Sequence, residues 1–153
     1  MNEKAQTYWN SFWDGKEPPT HVVAEQFGYG ADVIDELAQL IIAGKKTATC
    51  SNHILYEIEN EPLPMVGKHT IILNSKDEPV AIIKTTEVQI IKMNEVPEEL
   101  ALAEGEGDLT YKYWYDGHKK YFTSEMEEIG LAFAEDMLLV FERFALVDVK
   151  EVP

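Results

Sequence analysis

The chain is expected to fold as one mixed α+β domain, a small, mostly antiparallel barrel or curved sheet decorated with helices. Three observations predict this. Strand-like and helix-like segments do not alternate regularly, which disfavours a doubly wound parallel sheet. The stretch His69 to Met93 has hairpin patterning, with Thr70-Ile71-Ile72-Leu73 and Pro79 to Thr85 flanking the turn residues Asn74-Ser75-Lys76-Asp77. At 153 residues, 45% of them apolar, the chain can bury one core of ordinary size, whereas two would each be small.

Taken in order, residues 4–14 place Tyr8, Trp9, Phe12 and Trp13 on one face of a short helix, stopped by Gly15 and Pro18-Pro19. That aromatic stripe reads as a docking face against the core. Val22 to Phe27 reads as a strand closed by glycines 28 and 30. The clearest helix covers 33–43, with Val33, Leu37, Leu40 and Ile41 on one face, Asp32 as N-cap and Gly44 as stop signal. Thr47 to Ser51 reads as a short β segment, followed by a polar, proline-marked connection through 57–64. The β-branched run 85–91 continues the second hairpin strand or bends into a third. Pro97 starts a helix that ends at Gly105. A further helix is expected from Thr110 to Phe122, with Tyr111, Trp114, Tyr115, His118 and Phe122 along one side. Ser124 and Glu127 form a capping-box pattern for one more turn near Gly130. Met137 to Val149 should be one long strand, or two joined at a bend.

Composition narrows the function classes. The formal net charge is −15, from 28 acidic and 13 basic residues, a balance that repels polyanions at long range and disfavours wide tracking of a nucleic-acid backbone. Arg143 is the single arginine, so bidentate phosphate clamps are nearly absent. No apolar run approaches the ~20 residues of a membrane helix, and the N-terminus has no secretory apolar stretch. With one cysteine, Cys50, an intrachain disulfide framework is excluded. A cytoplasmic protein without a membrane partner is expected.

Gly44-Lys45-Lys46-Thr47-Ala48-Thr49 fits the pattern G-x-K-x-x-T at the end of an amphipathic helix. Further along come Thr49-Cys50-Ser51, Leu63-Pro64 before Gly67, and Thr85-Thr86-Glu87-Val88. Glu104-Gly105-Glu106-Gly107-Asp108 follows, then Tyr113-Trp114 with His118 and Tyr121-Phe122, and Glu142-Arg143-Phe144. This ordered set resembles the ASCH domain family, in its longer bacterial branch, and covers most of the chain after residue 20. The resemblance implies a PUA-like β-barrel over 20–153, on which the aromatic helix of residues 1–19 is expected to pack. It also implies RNA binding or, as in some small bacterial members, removal of the acetyl group from N4-acetylcytidine, or, as in another member, ribonuclease activity. In the amidohydrolase branch a lysine, a threonine and a glutamate carry the chemistry. The first two map onto Lys46 and Thr49; Glu106 is the choice for the third, with Glu104 next. Many members place arginine two residues after the motif threonine, where this chain has Ser51, which removes a fixed cation.

Thr49 is a weak nucleophile unless a base accepts its proton, and a lysine can do so only if its pKa falls from ~10.4 toward neutrality. Gly44 lets the chain turn so that Lys46 faces the same space as Thr49. Glu106 could then hold the lysine, orient water or protonate a leaving amine, and the N–H groups near Gly105 and Gly107 could bind an oxyanion. The bland alternative is that Lys45-Lys46 complement a helix dipole and Thr49 is an ordinary strand residue. Glu104, Trp114, His118 and Tyr121 are candidates to bind substrate; His118 could equally be a half-buried helix residue, and Cys50 reads as a small buried core residue. No cofactor or metal is expected, because His21, His53, His69 and His118 lack metal-ligand spacing and one cysteine makes no thiolate cluster. The expected partner is a small nucleoside or single-stranded RNA, and the net charge favours the nucleoside.

Overall fold

The computed structural model describes residues 1–151, so the last two residues of the expected 20–153 domain lie outside it. Five strands form one sheet in the order β1 (Val22–Glu25), β3 (His69–Leu73), β4 (Pro79–Lys92), β5 (Leu138–Val149), β2 (Ala48–Asn52). β1 runs parallel to β3 and every other pairing is antiparallel. The hairpin forms across residues 74–78 with Ile71 opposite Ile82, and the run 85–91 continues β4 without a break in the strand.

The sheet is open, which corrects the expected barrel: β1 and β2 are its two edges, and among the described residues no ladder joins them. The edge strands have only four and five residues, against 14 in β4 and 12 in β5. Such short edges offer few ladder hydrogen bonds with which to close. Register shifts between Ile82 and Ile83, and between Thr85 and Glu87, bend the long β4–β5 pair without bringing the edges together.

Both faces of the sheet are covered, so all five residues of β3 are buried. Ile71 and Ile72, adjacent in β3, point to opposite faces and define two cores. On one side α1 (Glu3–Trp13) sets Ala5, Tyr8 and Trp9 against Ile71, Leu73 and Ile82. On the other, α2 (Ala31–Ile42) sets Ala38 and Ile41 against Ile72, Ala81, Ile83 and Phe144. The third and largest core joins α4 (Glu98–Leu102) and α5 (Tyr111–Glu128) to β5 and to Met93, just after β4, through Leu100, Trp114, Phe122, Leu139 and Phe141.

Several local expectations change. The buried stripe of α2 is Ile34, Leu37, Ala38 and Ile41, leaving Val33 exposed, and its N-cap is Gly30, with Asp32 in the first turn. The two expected helical pieces form one helix, α5: the Thr110 side chain accepts from the Tyr113 N–H at its start, and Gly130, at φ 77°, follows its end. Ser124 therefore sits mid-helix and caps nothing, because the core contacts of Phe122 and Met126 continue on one stripe across it. A short helix absent from the sequence reading, α3 (His53–Ile58), starts where the Asn52 side chain accepts from the Ile54 N–H.

Candidate functional site

Lys46 reaches the interior through the turn between α2 and β2. Gly44 adopts φ 75°, the N–H groups of Lys45 and Lys46 both reach the Leu40 carbonyl, and β2 begins only at Ala48. Lys46 thus precedes the strand and escapes its two-residue alternation. The N–H groups of Thr47 and Ala48 donate to the Ala103 carbonyl at 2.8 and 3.1 Å, strapping this turn to the end of α4. The next residues are Glu104-Gly105-Glu106. A Cβ on Gly105 would lie 2.2 Å from the Lys45 carbonyl oxygen, so only glycine allows the two backbones to touch. That contact delivers both glutamates to the lysine.

The Lys46 ammonium is 2% exposed and lies 3.2 Å from Glu104 Oε1, 3.1 Å from Glu106 Oε2 and 3.4 Å from the Glu104 carbonyl oxygen. Burial alone would lower the lysine pKa, but the two carboxylates outweigh it and raise it. The condition for Lys46 to act as a base, a pKa lowered toward neutrality, is therefore opposed by its two carboxylate partners. The other oxygen of Glu104 accepts from Trp114 Nε1, from Cys50 Sγ at 3.3 Å and from His118 Nε2 at 3.2 Å. Burial would raise the Glu104 carboxyl; Lys46 first, then His118 and Trp114, hold it down at about 2. His118 stacks on Trp114 at 4.7 Å, and its Nδ1 lies 2.8 Å from the Trp114 carbonyl oxygen. Both ring nitrogens face acceptors, so only the doubly protonated ring satisfies both. Burial lowers its pKa, yet the bond to Glu104 dominates and raises it. Burial and the facing Glu104 push the Cys50 thiol well above its ordinary range, which argues against a nucleophilic thiolate.

Thr49 lines the same cleft, a cavity of about 1270 Å³ between β1, α2, β2 and α5. It belongs to β2 and its backbone pairs with Glu142 of β5. Trp114 and His118 form the inner wall, with Trp114 4% exposed. Tyr121 stands at the rim, its ring 5.6 Å from that of Tyr29. Glu106, with its side chain 27% exposed, is the carboxylate of the pair that faces the open cleft. Of the N–H groups near Gly105 and Gly107, that of Gly105 already donates to the Leu102 carbonyl at 3.0 Å. Lys68, Glu142 and Tyr56, for which no role was expected, also line the cleft. For Glu142 a signal existed, a carboxylate in the otherwise apolar Leu-Leu-Val-Phe-Glu run of β5.

Cys50, Glu104 and His118 each bring a donor atom within 4.8 Å of the others, a cluster that sequence spacing hid. The donor set is nevertheless poor for a cation. Glu104 Oε2 already takes three donors, and the Lys46 ammonium places positive charge 3.2 Å from the same carboxylate.

Comparison with known proteins yields a family and two close structural relatives. The sequence profile of the ASCH domain matches residues 24–148. The ASCH domain from Lactobacillus crispatus JV V101 superimposes with a TM-score of 0.91 at 32% identity, covering 95% of each chain. Protein EF3133 from Enterococcus faecalis V583 gives a TM-score of 0.88 at 39% identity, covering 97% of this chain and 91% of that one. No curated protein matches the sequence. Among the described residues no helix is long and apolar enough to cross a membrane.

Proposed function

This chain belongs to the ASCH domain family, and from that premise we propose that its cleft binds a nucleoside and hydrolyses an exocyclic amide of the kind found in N4-acetylcytidine. The observation that carries the reading is the buried Lys46 ammonium, held between Glu104 and Glu106 in a cleft that Thr49 also lines.

A lysine kept protonated by two carboxylates is an electrophile and not a base. In this reading Lys46 stabilises the oxyanion that develops on the amide oxygen, while Glu104 positions the ammonium. The Thr49 hydroxyl oxygen adds to the carbonyl carbon, and Glu106 takes its proton. Glu106 returns that proton to the amine nitrogen as the C–N bond breaks. Water, deprotonated by Glu106, then adds to the acyl ester on Thr49; as the ester C–O bond breaks, Glu106 returns the proton to the Thr49 hydroxyl oxygen and the carboxylic acid leaves. His118, stacked on the buried Trp114, presents an aromatic ring in the cleft wall against which a base can pack.

Charge favours a nucleoside over a polyanion. Glu25, Glu61, Glu104, Glu106 and Glu142 line the cleft against Lys46, Lys68 and His118, and all three cationic groups are already paired with carboxylates. The test is acetate release from N4-acetylcytidine by purified protein. Thr49→Ala is expected to abolish turnover, and Glu106→Gln to lower kcat by about 10²- to 10⁴-fold, with circular dichroism unchanged in both. Full activity in both variants would place the chemistry elsewhere. Short single-stranded RNA should bind weakly, with a shallow salt dependence. Tight binding that falls by about 0.7 log units per phosphate contact for each log unit of salt, with no nucleoside binding, would replace hydrolysis by an RNA-binding module.

A further inference from the structure

One end of the cleft holds a second polar cluster that the hydrolytic reading does not use. Lys68, just before β3, lies 3.3 Å from Glu142 Oε1 and 4.0 Å from Glu25 Oε1. The buried Thr85 hydroxyl donates to the same Glu142 oxygen at 3.0 Å. Two donors thus fix this carboxylate by one oxygen, and among the described residues none donates to the other. The Glu142 side chain is 12% exposed, and that exposure is toward the cleft. Beside it, the Ser51 and Tyr56 hydroxyls share a hydrogen bond of 2.8 Å.

The place of Glu142 matters as much as its partners. Its backbone is directly opposite Thr49 in the β2–β5 ladder. Residues so opposed in an antiparallel pair have Cβ atoms about 4.5–5.5 Å apart and share a face of the sheet. A ligand whose reacting carbonyl sits at Thr49 therefore has Glu142 as an immediate neighbour, with Glu25 beyond Lys68.

We propose that Glu142 and Glu25, spaced by Lys68, form a subsite for the vicinal hydroxyls of an unphosphorylated ribose, so that the cleft selects nucleosides over free bases and over nucleotides. The chemistry fits in three respects. Ionised carboxylates only accept, and a vicinal diol offers two donors. Carboxylate recognition of a ribose 2′-hydroxyl is an established solution in other folds. Two carboxylates share one ammonium here, so the subsite keeps a net negative charge that repels phosphate, while the ammonium at its centre also opposes an amine. The inference rests on the nucleoside reading for its ligand and not on the hydrolytic step.

Isothermal titration with cytidine, 2′-deoxycytidine, cytosine and cytidine 5′-monophosphate tests it without requiring turnover. Cytidine should bind about tenfold more tightly than 2′-deoxycytidine or cytosine, and more tightly than the monophosphate. Glu142→Gln should remove that advantage while leaving cytosine affinity unchanged. Should Glu142→Gln fail to fold, Glu25→Ala, on a more exposed side chain, should reduce the same ratio. Equal affinity for cytidine and cytosine, or no binding of either, overturns the subsite. So does a Glu142→Gln variant that loses acetate release from N4-acetylcytosine as severely as from the nucleoside, since Glu142 would then serve the chemistry. Cytidine selectivity with no amide hydrolysis would leave the subsite standing and remove only the enzymatic reading.

Discussion

Replacing Glu104 by glutamine tests the electrostatic core of the site, because glutamine copies the shape of the protonated acid and removes its charge. In the native protein the carboxyl pKa is held down at about 2, from an ordinary 4.5. A group whose folded pKa is depressed contributes stability that is full above its unfolded pKa and is lost as pH falls through the folded value. The difference corresponds to about 3 kcal/mol at pH 7, shrinking to about 1 kcal/mol at pH 3. Against a total of about 5–15 kcal/mol for a domain, that is a large share. Glu104→Gln should therefore be about 3 kcal/mol less stable at neutral pH, lowering Tm by about 6–12 °C. The amide cannot satisfy Lys46, Trp114, Cys50 and His118 with one oxygen, which pushes the loss upward. Urea unfolding followed by tryptophan fluorescence at pH 7 and pH 3 measures both values. A variant within about 1 kcal/mol of wild type at pH 7, or a difference that does not shrink on acidification, would refute the account of Glu104 as the charged hub.

Two further predictions follow from the same network. Gly105→Ala should destabilise the protein well beyond Gly44→Ala: both glycines have positive φ, but only at 105 does a Cβ meet backbone, 2.2 Å from Lys45 O, whereas at 44 it meets nothing within 4 Å. At Gly44 the cost is only that of left-handed backbone, about 1–2 kcal/mol, and paired thermal melts would show a smaller gap if the 105 loop simply moved aside. His118 should titrate above its ordinary 6.5 in the wild type, because Glu104 outweighs burial, and below the wild-type value in Glu104→Gln. Its raised pKa contributes stability that is full below the unfolded value and is lost as pH rises through the folded one. A histidine ring titration by NMR that is unchanged between the two proteins would separate His118 from Glu104.

The amino-acid sequence by itself determined the mixed class, the β3–β4 hairpin, the long β5 and the boundaries of α1 and α2 within about two residues. These rest on local periodicity, turn chemistry and glycine or proline stops, which act over a few residues. The same locality explains the errors. The capping-box pattern at Ser124 and Glu127 is locally valid, but the packing of Phe122 and Met126 on one core keeps α5 continuous. The buried stripe of α2 is rotated from the one expected, because the sheet it meets, and not its own composition, takes Ala38 into the core and leaves Val33 exposed. Barrel closure depends on whether two edge strands meet, a long-range fact that no segment encodes. Lys46 and Thr49 were legible because they share one short motif. The state of Lys46 was not, since its charge is set by Glu104 and Glu106, 58 and 60 residues away, brought in by the contact of Gly105 with Lys45. Glu142 and Lys68, 74 residues apart, come together only because β3, β4 and β5 are neighbours in the sheet. Residue types announce which chemistry is available; distance and burial, which only the tertiary structure sets, decide which groups are charged and which of them share a cleft.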